Sequence, residues 1–477
     1  MARTPRFDPY ERLLYRFFEA VYLLSLLGKI RGPHLSTVFD PASLISIRRR
    51  FLKNLAFLCD GLKGGDSTTS IAIEDRTDCY VFWVSSNKGP SDTTLKYLGL
   101  VLEDIKGFVN SAQDGREGSE DRLIRRGVGF SCERMRKQAH SLVNRATECI
   151  NYLLGLPGEK KSLSLSEWLA RFMFVKFNEP GLHQLCLEAF RIRNDPEMAV
   201  MEKFGQRLHN ATCPEDISKS FTRVRHIIGR LAAHVRAVKQ LLDDGARLSE
   251  LVETYEISGV PVPRSAPQPP ADSQTNLRGI MIRILKDGVN DARFEKLLGY
   301  LSQMDEQVEL EKRLIGSHDP ERRPHTVHAE VQMLHHFHDN GLKFAEADRY
   351  IATSKPACMC CRLYFHHHPA TCVEPDTHQR VWPSWGPPLL PLGKDDPGWV
   401  EQRRVLNNVC HDIRKEVVMV IEQRQAITFA HPDSLTGDTH SLDAGFSESE
   451  NDGSGDSENE DGLWDEDDDD DDGGVEL

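Results

Sequence analysis

No stretch of the 477 residues is long and apolar enough to cross a bilayer. The most apolar run, AVYLLSLLG at 20–28, falls well short of the roughly 20 residues a spanning helix needs. The opening MARTPRFDPYERL is polar and charged where a secretory leader is apolar, so we expect an intracellular chain, cytoplasmic or nuclear, with no membrane contact. HExxH is absent, which excludes the helical metalloprotease pattern. No internal repeat recurs at solenoid or propeller periods. A continuous basic stripe is also lacking: IRRRFLK at 47–53 and Arg223, Arg225 and Arg230 sit at the helical spacings of solvated faces. A polynucleotide partner is therefore compatible with the chain but not demanded by it.

Residues 447–477 contain sixteen Asp or Glu and neither Lys nor Arg. Removing those sixteen negative charges from the formal −14 leaves the remainder at +2. Such a self-repelling run has almost nothing to bury, so 431–477 reads as a disordered acidic tail. It serves either to solubilise the chain or to engage a basic protein partner.

Ahead of the tail, length allows more than one core. Region 1–212 reads as mainly α-helical, from the apolar periodicity of YERLLYRFFEAVYLLSLL, SEWLARFMFVKF and HQLCLEAFRIR. One β-rich run, Tyr80 to Val84, interrupts it. Region 215–425 begins with a helix of about seven turns over 216–242, with Asp216 as its N-cap. A strand in TYEISGVPVP, a Pro-rich linker or exposed loop RSAPQPPADSQ and short helical patterns over 275–315 follow. Then come a helix in HTVHAEVQMLHHFHDNG, a strand ahead of Lys355-Pro356, a helix after it and a last helix ending near 424.

What is abundant is thiol. The chain has eleven cysteines, three of them within SKPACMCC at 354–361. In a reducing compartment, clustered thiols favour metal or redox chemistry over structural bridges. Cys358 and Cys361 have the spacing that brings two sulfurs to one metal at a helix start, where backbone amides stabilise thiolates. The pair also suits a dithiol redox motif. A third option is a closed structural site completed by Cys372 and one of His366, His367 and His368.

A further ligand would distinguish these readings, and His328-Ala329-Glu330 lies thirty positions upstream of Cys358. Two residues apart on a helix means about 200° apart, so His328 and Glu330 converge only where the helix begins. There, His328 can ligate a metal while Glu330 reaches a water beside it.

HAE, then a strand, then PACMCC resembles the zinc-dependent cytidine deaminase superfamily, with its H-x-E and P-C-x-x-C signature. The helical N-terminal region and HQRVWPSWGPP resemble a fungal nucleic acid or nucleotide deaminase-like branch of it. The core resemblance spans about 215–425. It implies an α/β protein with a three-layer α/β/α deaminase-like domain, Zn²⁺ held by His328, Cys358 and Cys361, and Glu330 as general acid and base. The implied reaction is hydrolysis of the exocyclic amine of a cytosine- or adenine-type base, whether free, in a nucleotide or in nucleic acid. Ala357 separates Pro356 from Cys358, where the signature has none, so a register using Cys360 stays open. On the same resemblance Thr353, Ser354, Trp382 and Trp385 are candidates to contact the base or sugar. The other function class is a non-catalytic, zinc-stabilised interaction module whose acidic tail binds a partner.

Overall fold

The computed structural model describes residues 8–28, 34–111, 118–156, 160–206, 213–319 and 325–423. The acidic tail expected over 431–477 lies outside the described residues. The chain is a mixed α/β fold in which helices cover both faces of a small sheet.

Strands β1 (Thr69–Asp75) and β2 (Tyr80–Ser86) form an antiparallel hairpin with Ile71 opposite Val84 and Ile73 opposite Phe82. Strand β3 (Tyr255–Gly259) runs parallel to β2, and β4 (Ala352–Thr353) runs antiparallel to β1. The sheet order is β3-β2-β1-β4, so two strands come from before residue 215 and two from after it.

Side chains alternate across the sheet, and the alternation sorts them into two cores. Ile71, Ile73, Phe82 and Val84 face one core with the helices Leu44–Cys59, Asp92–Asn110 and Glu215–Arg247. Ala72 faces the other, against which Trp83 also packs. That second core holds the helices Ala329–Asp339, Met359–His367 and Trp399–Gln423.

The first helix, Pro9–Leu27, belongs to this second core and packs along Trp399–Gln423. Its start is fixed by Asp8, whose carboxylate accepts the Tyr10 N–H at 2.8 Å, and by Pro9 in the first turn.

One local reading changes. The long helix starts at Glu215 with Pro214 in the cap position, and Asp216 lies inside the first turn, where a carboxylate suits the helix dipole. The Pro-rich stretch after β3 is an exposed loop pinned at its start: Ala266 is buried, its N–H donates to Pro387 O at 2.9 Å, and Leu389 N–H donates to Arg264 O at 2.7 Å. Gly386 sits at this crossing. A Cβ there would clash with the Ser265 side chain and lie 2.7 Å from the Cβ of His325. Among the described residues no helix is long and apolar enough to cross a membrane.

Candidate metal centre

Two helix N-termini meet beside the sheet. His328 occupies the N-cap of Ala329–Asp339 with extended backbone (φ −66°, ψ 152°). The end of β2 holds it there: Asn87 Oδ1 accepts the Ala329 N–H at 2.8 Å, and Ser85 Oγ donates to Ala329 O at 2.8 Å. Gln332, buried, donates its amide to Val327 O at 2.7 Å and Ser86 O at 3.0 Å. Glu330 follows in the first turn, on the inner side.

Cys358 occupies the N-cap of Met359–His367, its sulfur accepting the Cys361 N–H at 3.4 Å. The loop before it is pinned on both sides. Ala357 N–H donates to Asp376 O at 2.6 Å, and Thr377 Oγ1 donates to Ala357 O at 2.7 Å. Asp376 in turn pairs with Lys53 at 2.8 Å. Ser354 donates to Asp60 Oδ2 at 3.0 Å and accepts the Thr69 N–H at 3.0 Å. The helix Leu44–Cys59 of the opposite core, with the start of β1, thus anchors the thiol loop.

The outcome is a compact donor set. His328 Nδ1 lies 3.6 Å from Cys358 Sγ and 3.4 Å from Cys361 Sγ, and the two sulfurs are 3.5 Å apart. Donors held 2.0–2.3 Å from one tetrahedral ion are roughly 3.3–3.8 Å apart, so the set fits zinc in chemistry and spacing. Cys360 is fully buried and stands outside the cluster, as does Cys372. His366 pairs with Glu374 and His367 with Asp412, each at 2.7 Å.

The electrostatics agree with a cation-binding role. Burial pushes the Cys358 thiol up, but hydrogen bonds from Cys360 and Cys361 and the adjacent His328 outweigh it and hold the group well below its usual range. Burial and the neighbouring Cys358 push Cys361 up. Two sulfurs this close share one negative charge unless a cation compensates both. Burial also raises the Glu330 carboxyl, against the opposing pull of His328 and Cys361. A carboxyl whose pKa is raised by burial is a better proton acceptor than an exposed one and so suits general acid and base work.

The other candidate contacts are dispersed. Thr353 is buried in β4 opposite Ser70, and Ser354 is committed to Asp60 and Thr69. Trp382 is half-buried, with the Arg380 guanidinium 4.2 Å above its ring. Trp385 is fully buried between Phe17 and Tyr364, and its indole N–H donates to Cys361 Sγ at 3.0 Å. Sequence reasoning did not foresee this sulfur contact. It also missed Asn87, Ser85 and Gln332, single polar side chains with no spacing signal.

No curated protein and no solved structure matches the chain. Residues 327–389, the stretch that carries His328, Glu330, Cys358 and Cys361 on its two helix starts, match the family model of the OTT_1508-like deaminases, a cytidine deaminase-like family.

Proposed function

We propose that the chain is a zinc-dependent deaminase that hydrolyses the exocyclic amine of a cytosine- or adenine-type base, with water replacing the amine and ammonia leaving. The observation that carries this reading is the convergence of His328, Cys358 and Cys361 with a buried Glu330 at two facing helix starts. His328, Cys358 and Cys361 would hold the ion. Zinc so bound supplies a Lewis acid that acidifies water at neutral pH.

Glu330 takes the proton from water and returns it to the ring and the departing amine; its raised carboxyl suits both directions. Trp385 and Tyr364 keep bulk water from the sulfur side of the centre. A family match that spans both ligand-bearing segments supports the reading. Eleven cysteines, none of them in a disulfide, are consistent with a reducing setting.

The test is ammonia release from a panel of cytosine- and adenine-containing bases, nucleosides, nucleotides and single-stranded oligonucleotides. Wild type should turn over at least one class, and Glu330→Gln should retain zinc while losing about 10²–10⁴ in rate. Full turnover by Glu330→Gln would falsify the assignment.

A further inference from the structure

The helices that bring their N-termini to the thiol cluster bring their C-termini to a second set of donors. His338 lies in the last turn of Ala329–Asp339, His368 caps the end of Met359–His367, and Glu401 lies in the first turn of Trp399–Gln423. The ligand atoms of all three fall within 4.8 Å of one another.

Three observations point to a cation there. The first is spacing: Glu401 Oε1 is 3.2 Å from His338 Nε2 and 3.5 Å from His368 Nε2. The longer separation makes no hydrogen bond, since His368 Nε2 has no such partner. Yet 3.5 Å is what two donors sharing one ion about 2.1 Å away would show. The second is burial. The His368 side chain is 1% exposed and its unpartnered nitrogen faces the other two donors. A buried polar nitrogen in that state is costly unless something ligates it. The third is the field: two helix C-termini converge here against the single N-terminus that carries Glu401, and their partial negative charge together with the Glu401 carboxylate favours a positive ion.

The neighbours are already engaged elsewhere. His335 Nε2 and Tyr364 OH share a hydrogen bond at 2.8 Å, and His335 Nδ1 lies 3.4 Å from Asp339. Their rings pack on His368 and fix its orientation. The Ala370 N–H donates to His368 Nδ1 at 3.2 Å, so without metal the ring proton sits on Nε2. Loading shifts that proton to Nδ1 and gives up this bond, which weakens the site about tenfold relative to a ready-made one.

We propose that His338, His368 and Glu401 form a second metal site, separate from the thiol centre, for a divalent ion of the zinc, cobalt or nickel type. Two imidazoles and one carboxylate suit such ions and leave a position for water. His338 and Glu401 are 31% and 36% exposed, so solvent reaches the site. An ion here ties together the far ends of both helices that present the first centre, and so acts as a clasp on its geometry.

The experiment uses tag-free, full-length protein, stripped of metal and reloaded with zinc and separately with cobalt. Wild type should bind about two ions per chain. Glu401→Gln and His338→Gln should each lose one while keeping the intense sulfur-to-cobalt charge-transfer absorption. Cys361→Ser should lose that absorption and keep the other ion. His368→Ala should behave like Glu401→Gln; because it opens a buried hole, the more exposed Glu401 and His338 variants carry the decision. One ion per chain, unaffected by Glu401→Gln and His338→Gln, overturns the proposal. So does a second ion that is lost on combining His366→Ala with His367→Ala but survives Glu401→Gln.

Discussion

Trp385 donates its indole N–H to the sulfur of Cys361 across 3.0 Å, with neither side chain exposed. The donated hydrogen bond favours the charged form of that sulfur, the form a metal ion takes, and it fixes where the sulfur points. Trp385→Phe keeps most of the ring contact with Phe17 and Tyr364 but removes the donor. Zinc retention should fall about 10- to 100-fold in a chelator competition. Retention equal to wild type would mean the contact is packing alone.

His325 is buried and kept neutral, its pKa pushed down to about 4 by loss of solvent. It accepts or donates to Tyr22 OH at 2.9 Å and stacks on Phe18 with ring centres 4.1 Å apart. The native state therefore binds fewer protons than the unfolded chain between the ordinary value of 6.5 and about 4. Its contribution is complete above pH 6.5 and declines as the pH falls below that, by about 3 kcal/mol in all. Urea midpoints measured from pH 7 to pH 5 should drop less steeply for His325→Phe. A slope identical to wild type would remove His325 as a source of the acid sensitivity.

Arg50 and Asp244 form a buried two-pronged pair, at 2.6 and 3.0 Å, between the Leu44–Cys59 and Glu215–Arg247 helices. Removing one partner leaves an uncompensated charge, so Asp244→Ala should cost about 3–5 kcal/mol. The double variant Arg50→Leu, Asp244→Leu should recover part of that loss. If the double change costs the full sum of the single ones, the pair is not coupled and the claim fails.

Asp60 accepts from Ser67 at 2.6 Å and from Ser354 at 3.0 Å, and it is almost wholly buried. It therefore sits between the first core and the loop that leads to the cysteines. Asp60→Ala should destabilise by about 1–3 kcal/mol, and hydrogen exchange should quicken over 354–361 ahead of the rest of the chain. Uniform quickening across all regions would count against a local tether.

Much of this was legible in the sequence, and for definable reasons. Helices at 9–27, 215–247 and 399–423 announce themselves because one apolar stripe repeats along each. That His328 and Glu330 sit together was legible because residues two apart converge only at a helix start, which is where both lie, and the two-residue gap between Cys358 and Cys361 placed that pair at the next helix start. Strand β1, TSIAIED, was not: helices cover the sheet on both faces, so its first six residues are all buried and no polar alternation marks them. Strand β4, Ala352–Thr353, was legible as the β-prone run ahead of Lys355-Pro356, though only two residues of that run pair in the sheet. Trp385 read as a base-stacking candidate because its position, between Tyr364 and a helix from the other end of the chain, is a purely tertiary fact.

The stitching of the ligand loops carries a consequence for what counts as a module. Asn87 secures the histidine cap, Lys53 and Asp60 secure the thiol loop, and Phe17 backs the tryptophan that reaches Cys361. All four lie hundreds of positions upstream of the 63-residue segment that matches the deaminase family. That segment is a signature without autonomy. Moved alone into another protein it would carry every ligand and none of the scaffolding, so the transferable unit of this chemistry is close to the whole folded chain.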